Sequence, residues 1–280
     1  MASFDSDQAE GLRRLLAGPK PHIVTFLSVM QDEEKSAMLV NLGASLTRAG
    51  SDVLLLDARS KSHGVSSRLP VSRGATLLEV ARQERALDEV VRTTAQGFGV
   101  ASMAHGAPLS NPRDVGQLRR LANAFNLLAT QTDIVLVDGE LDADDMLPVP
   151  AMAASDIVVQ VSGSAASIKA GYSLIKRLNA RLGRRPFSIL ITGTSEKEAQ
   201  LVYANMAQAA SRYLAVQLNS VGFVPADEHL KRAMKLGRPV VEAFPLAGAS
   251  VAFRQLAGRL ASSGSSATKS YGMTGARLGA

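Results

Sequence analysis

Lys35 and Ser36 place an ammonium beside a hydroxyl at the centre of "FLSVMQDEEKSAMLVNLG", Phe26 to Gly43. After a strand and before a helix, such a pair closes a phosphate loop: the lysine neutralises phosphate charge and the hydroxyl holds Mg²⁺. The rest of that chemistry needs glycine. The loop wraps phosphates with backbone N–H groups, and side chains collide with the ligand or with the required backbone angles. No glycine occurs between Ser28 and Lys35; Val29, Met30, Gln31, Asp32, Glu33 and Glu34 fill those positions. Each of the three carboxylates repels a nearby phosphate oxygen by about 1 kcal/mol in bulk water and about 4 kcal/mol at an effective dielectric of about 20. The same acids suit the positive end of a ligand-free helix. On these residues alone the stretch reads as a helix start, with a nucleotide site as the alternative.

Other chemistry is narrowed by composition. The 280 residues include no cysteine, which excludes disulfides, thiolate catalysis and cysteine-ligated metals. The four histidines, His22, His63, His105 and His229, lack ligand spacing, so no metal site is expected. Net charge is +6 and the pI about 9.8. The basic residues are spread as pairs such as Arg13-Arg14, Arg119-Arg120 and Arg184-Arg185, and aromatics are only 4 %. That pattern suits solvated surface rather than a nucleic-acid face, and no nucleic-acid partner is expected. The start of the chain has no apolar signal core, and no apolar run approaches the roughly 18 residues of a membrane helix. A cytoplasmic chain is expected.

The elements that must position Lys35 and Ser36 follow a βαβ rhythm. Strands are expected at 22–28, 52–57, 97–103, 133–138, 156–161, 187–192 and 221–224. Helices are expected at 34–49, 114–129, 164–182 and 196–214. Most strands are continuous apolar runs, as strands covered on both faces are. The rhythm predicts an α/β fold with a doubly wound, mainly parallel sheet flanked by helices, whose ligand sites lie at the carboxyl ends of the strands. Three parts are expected: a helix over 1–18 closed by Gly18-Pro19, an α/β domain over 19–261, and a Ser/Gly/Ala-rich flexible tail over 262–280.

From about Asp7 to Leu260 the chain resembles the MinD/ParA superfamily of deviant-Walker P-loop ATPases, and within it the FlhG/FleN branch, the regulators of flagellar number and placement. The family's S-G-K-G-G-V-G-K-T-T loop and following V-N-L-A align without a gap with "SVMQDEEKSA" and "VNLG". Ser28, Lys35, Ser36 and Val40-Asn41-Leu42 match. The signature lysine falls on Met30, and the glycines fall on Val29, Gln31, Asp32 and Glu34. "DVLLLDA" places Asp57 at the end of the second strand, and "TDIVLVDG" places Asp138 in the Walker B position. The switch aspartates fall on Arg59 and about Ser66, and the adenine-reading asparagine falls near Thr192. "SDIVVQVSGSAASIKAGYSLIKRL" and "VGFVPADEHLKRAMKLGRPVVEAFP" follow the family closely. Core strands keep the pattern while nucleotide contacts are replaced. The resemblance thus implies a relic nucleotide site, Lys35, Ser36, Asp57 and Asp138, with no cofactor and no catalytic residue.

The segment "DQAEGLRRLL" matches the D-Q-A-x-x-L-R stretch that starts FlhG proteins. In that family it activates FlhF, the signal-recognition-type GTPase that places the flagellum. The resemblance implies partner-binding roles for Asp7, Gln8, Ala9, Leu12, Arg13, Leu15 and Leu16. Polar Asp7, Gln8 and Arg13 would reach a composite active site, and the leucines would anchor in an apolar groove. Flagellar basal-body switch proteins or a flagellar transcription regulator are further implied partners, with recruitment to the cell pole or flagellar base. "ASVAFRQLAGRLA" aligns with a core helix, so dedicated membrane targeting is not expected. The expectation is a pseudo-ATPase regulator. The alternatives are an active ATPase using Lys35, Ser36 and Asp138, and a MinD-like scaffold for another polar or secretion system.

Overall fold

The structure is a computed structural model that describes residues 20–59, 64–105 and 114–269. The segment over 1–18 on which FlhF binding was expected lies outside the described residues. Eight strands form one sheet in the order β3-β4-β2-β5-β1-β6-β7-β8. They are β1 (His22–Ser28), β2 (Val53–Asp57), β3 (Arg92–Thr93), β4 (Gly99–Ser102), β5 (Ile134–Asp138), β6 (Asp156–Ser162), β7 (Phe187–Thr192) and β8 (Leu218–Val224). All pairings are parallel except β3 with β4.

Helices cover both faces. Val24 and Phe26 of β1, with Val53 and Leu55 of β2, pack against α1 (Asp32–Arg48) and α9 (Gly248–Lys269) through Leu39, Leu42, Leu46 and Phe253. The alternate residues Leu27, Leu54 and Leu56 point into the other layer. That layer is built on α3 (Val115–Ala129), α5 (Ala165–Leu182) and α6 (Glu196–Leu214), through Phe125, Ile175 and Met206. The central strands β2 and β5 thus bury both their faces, which is why their sequences read as apolar runs. The remaining helices are short: α2 (Leu77–Ala81), α4 (Pro150–Ala154), α7 (Glu228–Lys235) and α8 (Val240–Ala243).

The structure departs from the sequence reading in three places. The antiparallel edge strand β3 has two residues, too few to carry a period. Strand β8 starts at Leu218: the polar, exposed Asn219 and Ser220 extend the pairing past a bulge at Val221, next to Gly222 (φ 141°). Helix α9 continues to Lys269, eight residues beyond the expected domain boundary at 261. Ser and Gly weaken a helix that packing has already nucleated, but each costs at most about 1 kcal/mol relative to Ala and need not stop it.

Strand register sets the site. Asp57 and Asp138 are direct partners at the carboxyl ends of β2 and β5, and Phe26 of β1 is level with Asp138. Strand β1 then runs two residues further to Ser28, where the chain turns into α1.

Candidate functional site

Only Val29, Met30 and Gln31 separate β1 from α1. Asp32, Glu33 and Glu34 are helical, and the Lys35 N–H donates to the Gln31 carbonyl at 3.1 Å, an ordinary i→i−4 bond. Half of the six-residue stretch aligned with the phosphate loop is therefore the first turn of a helix. Its N–H groups run along the helix axis instead of wrapping a ligand, and the acids complement the dipole. Gln31 makes no side-chain cap.

Lys35 points inward. Its Nζ lies 2.5 Å from Asp138 Oδ1 and donates to the Gly139 carbonyl at 2.6 Å. The side chains are 5 % and 0 % exposed. Asp138 Oδ2 accepts the Val65 N–H at 2.9 Å. Its strand partner Asp57 accepts Arg59 N–H at 3.2 Å on Oδ1, and Ser66 N–H at 3.1 Å and Ser66 Oγ at 2.5 Å on Oδ2. Burial pushes the Asp57 carboxyl above the usual aspartate range, and the Ser66 hydrogen bond works against that. The 3₁₀ turn Val65–Arg68 is thus latched over both strand-end carboxylates. The latch needs Gly64, since a Cβ there would lie 2.0 Å from Asp57 Oδ1.

A second layer of charge sits above. Arg59 Nη1 donates to Asp32 Oδ1 at 2.6 Å, and its Nη2 is 4.0 Å from Glu140 Oε1. Arg68 Nη2 donates to Glu33 Oε1 at 2.8 Å. The hydrogen bond from Arg59 holds the Asp32 carboxyl below its ordinary range, and the exposed Glu33 is lowered by a backbone hydrogen bond and then by Arg68. Two of the three acids expected to repel phosphate are neutralised by arginines, one of them at an expected switch-aspartate position.

The remaining positions are also redeployed. The Ser36 hydroxyl is buried without a hydrogen-bond partner. Met30, in the signature-lysine position, accepts a weak bond from Ser167 Oγ at 3.5 Å. Thr192 receives Gln160 Nε2 at 3.4 Å. A cavity of about 380 Å³ remains over the turn, between Met30, Lys35, Arg59, Glu140 and the α5 residues Leu174 and Arg177. Arg177 closes its rim by pairing with Asp145. The Ser36 hydroxyl alone would suit Mg²⁺. The two carboxylates are already coordinated by protein donors, the lysine is held on Asp138, and the loop backbone is helical. These residues do not fit a nucleotide phosphate with its metal. Lys35, Ser36, Asp57 and Asp138 do converge, as their alignment implies. Arg59, Arg68, Gly64 and Val65 complete the cluster, and no local motif marks them.

Two of the described histidines pair with aspartates. His22 Nε2 lies 2.8 Å from Asp156 Oδ2, joining β1 to β6, and His229 Nδ1 lies 3.1 Å from Asp227 Oδ1 at the start of α7. Among the described residues no cluster of metal-ligating side chains occurs, and no helix is long and apolar enough to cross a membrane.

No protein-family model matches the chain. Antiactivator FleN of Pseudomonas aeruginosa is 31 % identical over 231 residues, which span 80 % of this chain and 80 % of FleN. The cell division ATPase MinD of Pyrococcus furiosus shares the fold with a TM-score of 0.63 at 17 % identity, over 85 % of this chain and 98 % of that one. MinD of Pyrococcus horikoshii, solved in complex with Mg-ADP, gives 0.61 at 16 %, over 92 % and 100 %. The two structural likenesses speak for the fold alone. The FleN identity, over four-fifths of both chains, carries the family: the chain belongs to the FlhG/FleN-type branch of the MinD/ParA superfamily.

Proposed function

We propose that this FleN-type regulator works without a nucleotide, as a pseudo-ATPase that binds partners. One observation carries the reading: half of the phosphate-loop stretch is the first turn of α1, with the lysine that follows buried on the Walker B aspartate. The protein's own cations and amides satisfy the carboxylates that a metal would need, so a fixed surface replaces a ligand-dependent one. On this reading, the N-terminal "DQAEGLRRLL" engages an FlhF-type GTPase, and the α/β body presents its surface to flagellar switch components or a transcription regulator. The name antiactivator on the FleN relative supports a regulatory role. Isothermal titration with ATP and ADP in the presence of Mg²⁺ tests the central claim. No binding up to millimolar nucleotide is expected. Micromolar affinity that disappears in Ser36→Ala, a variant that keeps the Lys35–Asp138 pair, would overturn it.

A further inference from the structure

A second cavity opens at the carboxyl ends of β2 and β4, separated by β5 from β1 and the relic loop that follows it. Its volume is about 60 Å³. At roughly 10–15 Å³ per water, it has room for about four to six waters, the size of one tetrahedral oxyanion. Arg59, Arg73, Arg92 and His105 line it, together with Ser102 and a single carboxyl, Asp57.

The balance of donors and acceptors is uneven. Asp57 is not an available counter-charge, because both its oxygens already accept from Arg59 N–H and Ser66. Arg59 is 8 % exposed, and its Nε has no hydrogen-bond partner. Arg73 makes no ion pair among the described residues, and Arg92 donates only to its neighbour's carbonyl, Val91, at 3.3 Å. Three arginines thus line one small space whose one described carboxyl is already hydrogen-bonded; the terminal nitrogens of Arg59 turn to Asp32 and Glu140, which leaves its buried Nε unpaired. A guanidinium is a planar fork of donors that matches phosphate geometry, and burying its N–H unpaired is costly. The wall is also built for close approach. His105 holds a left-handed backbone (φ 46°) with its ring Nε2 3.1 Å from the Gly74 carbonyl, and a Cβ on Gly74 would lie 2.6 Å from the Val90 carbonyl.

We propose that this pocket binds a small oxyanion, either inorganic phosphate or the terminal phosphate of a larger ligand. Arg59 also lines the relic cleft and pairs there with Asp32, so the bound oxyanion competes with Asp32 for one guanidinium. Occupancy of the pocket therefore loosens the contact that closes the relic turn.

The test is titration of the full chain with sodium phosphate at constant ionic strength, balanced with chloride, following histidine ring NMR signals; His105→Gln assigns the reporter. A saturable His105 shift is expected. Its midpoint should move up at least tenfold in Arg73→Gln and in Arg92→Gln and stay put in Arg212→Gln, a surface arginine that stacks on Tyr213. Titration with AMP separates the sources. An equal or tighter midpoint marks a phosphate carried on a larger ligand, and a response to inorganic phosphate alone marks the free ion. Nucleotide bound in this pocket is lost in Arg92→Gln, whereas nucleotide bound at the relic loop survives that change, so the two readings fail separately. The proposal is overturned if neither phosphate nor AMP moves His105, or if the arginine variants respond like the parent.

Discussion

Lys35 and Asp138 form a buried ion pair at the strand ends. In a glycine loop the lysine waits for phosphate; here it lies 2.5 Å from a carboxylate with no solvent exposure. Removing one partner of a buried pair leaves the other charge uncompensated, at a cost of about 3–5 kcal/mol. Lys35→Ala should therefore lower unfolding free energy by about that amount in urea titrations. The double variant Lys35→Met with Asp138→Leu should lose much less. A chain that keeps this lysine for phosphate would show the reverse balance, with stability nearly intact and nucleotide affinity gone. A loss under about 1 kcal/mol in Lys35→Ala would sink the structural role. Alignment alone brought Lys35, Ser36, Asp57 and Asp138 together, because strand ends and a following helix are local features. The pairings that finish the cluster were not legible. Arg59 and Asp32 are 27 positions apart, and Arg68 and Glu33 are 35 apart. No spacing rule joins residues that only a sheet crossover brings face to face.

At the scale of elements, the β1–α1 turn is short because α1 starts early, and α1 starts early because its first turn is acidic rather than glycine-rich. Apolar runs with β-branched residues made six of the eight strands legible to within two residues or so. What periodicity could not supply was an edge strand of two residues and the polar start of β8, where pairing rather than burial holds the chain. Packing of α5 on the sheet rests on one small residue. A Cβ on Gly171 would lie 2.4 Å from Val161 Cγ1 of β6. Gly171→Ala should cost about 1–3 kcal/mol through overpacking. Combined with Val161→Ala, the loss should fall short of the sum of the two single changes, because the second makes the room the first needs. Additive losses in thermal or urea unfolding would mean that the helix meets the sheet elsewhere.

For the whole molecule, the reading divides labour between a body without a ligand and a separate N-terminal segment. The peptide over residues 3–17, "SFDSDQAEGLRRLLA", should raise GTP hydrolysis by the FlhF-type GTPase of the same cell without the rest of the chain. In a helix Gln8, Leu12 and Leu15 fall at i, i+4 and i+7, on one face. Gln8→Ala should lower the stimulated rate more than binding, since a positioned glutamine orients the attacking water, while Leu12→Ala should lower both. Unchanged hydrolysis at saturating peptide would leave the body as the sole seat of function. The acidic first turn of α1 also bears on how such a chain descends. Glycine at position 32 alone takes Asp32 from the buried Arg59, and aspartate at 59 alone sets two acids against each other beside Glu140. On the proposed reading, these first steps back toward a working loop each cost a buried charge its partner. The closed site behaves as a ratchet: its descendants should exchange residues 32 with 59, and 33 with 68, in matched pairs, and should not drift back one substitution at a time.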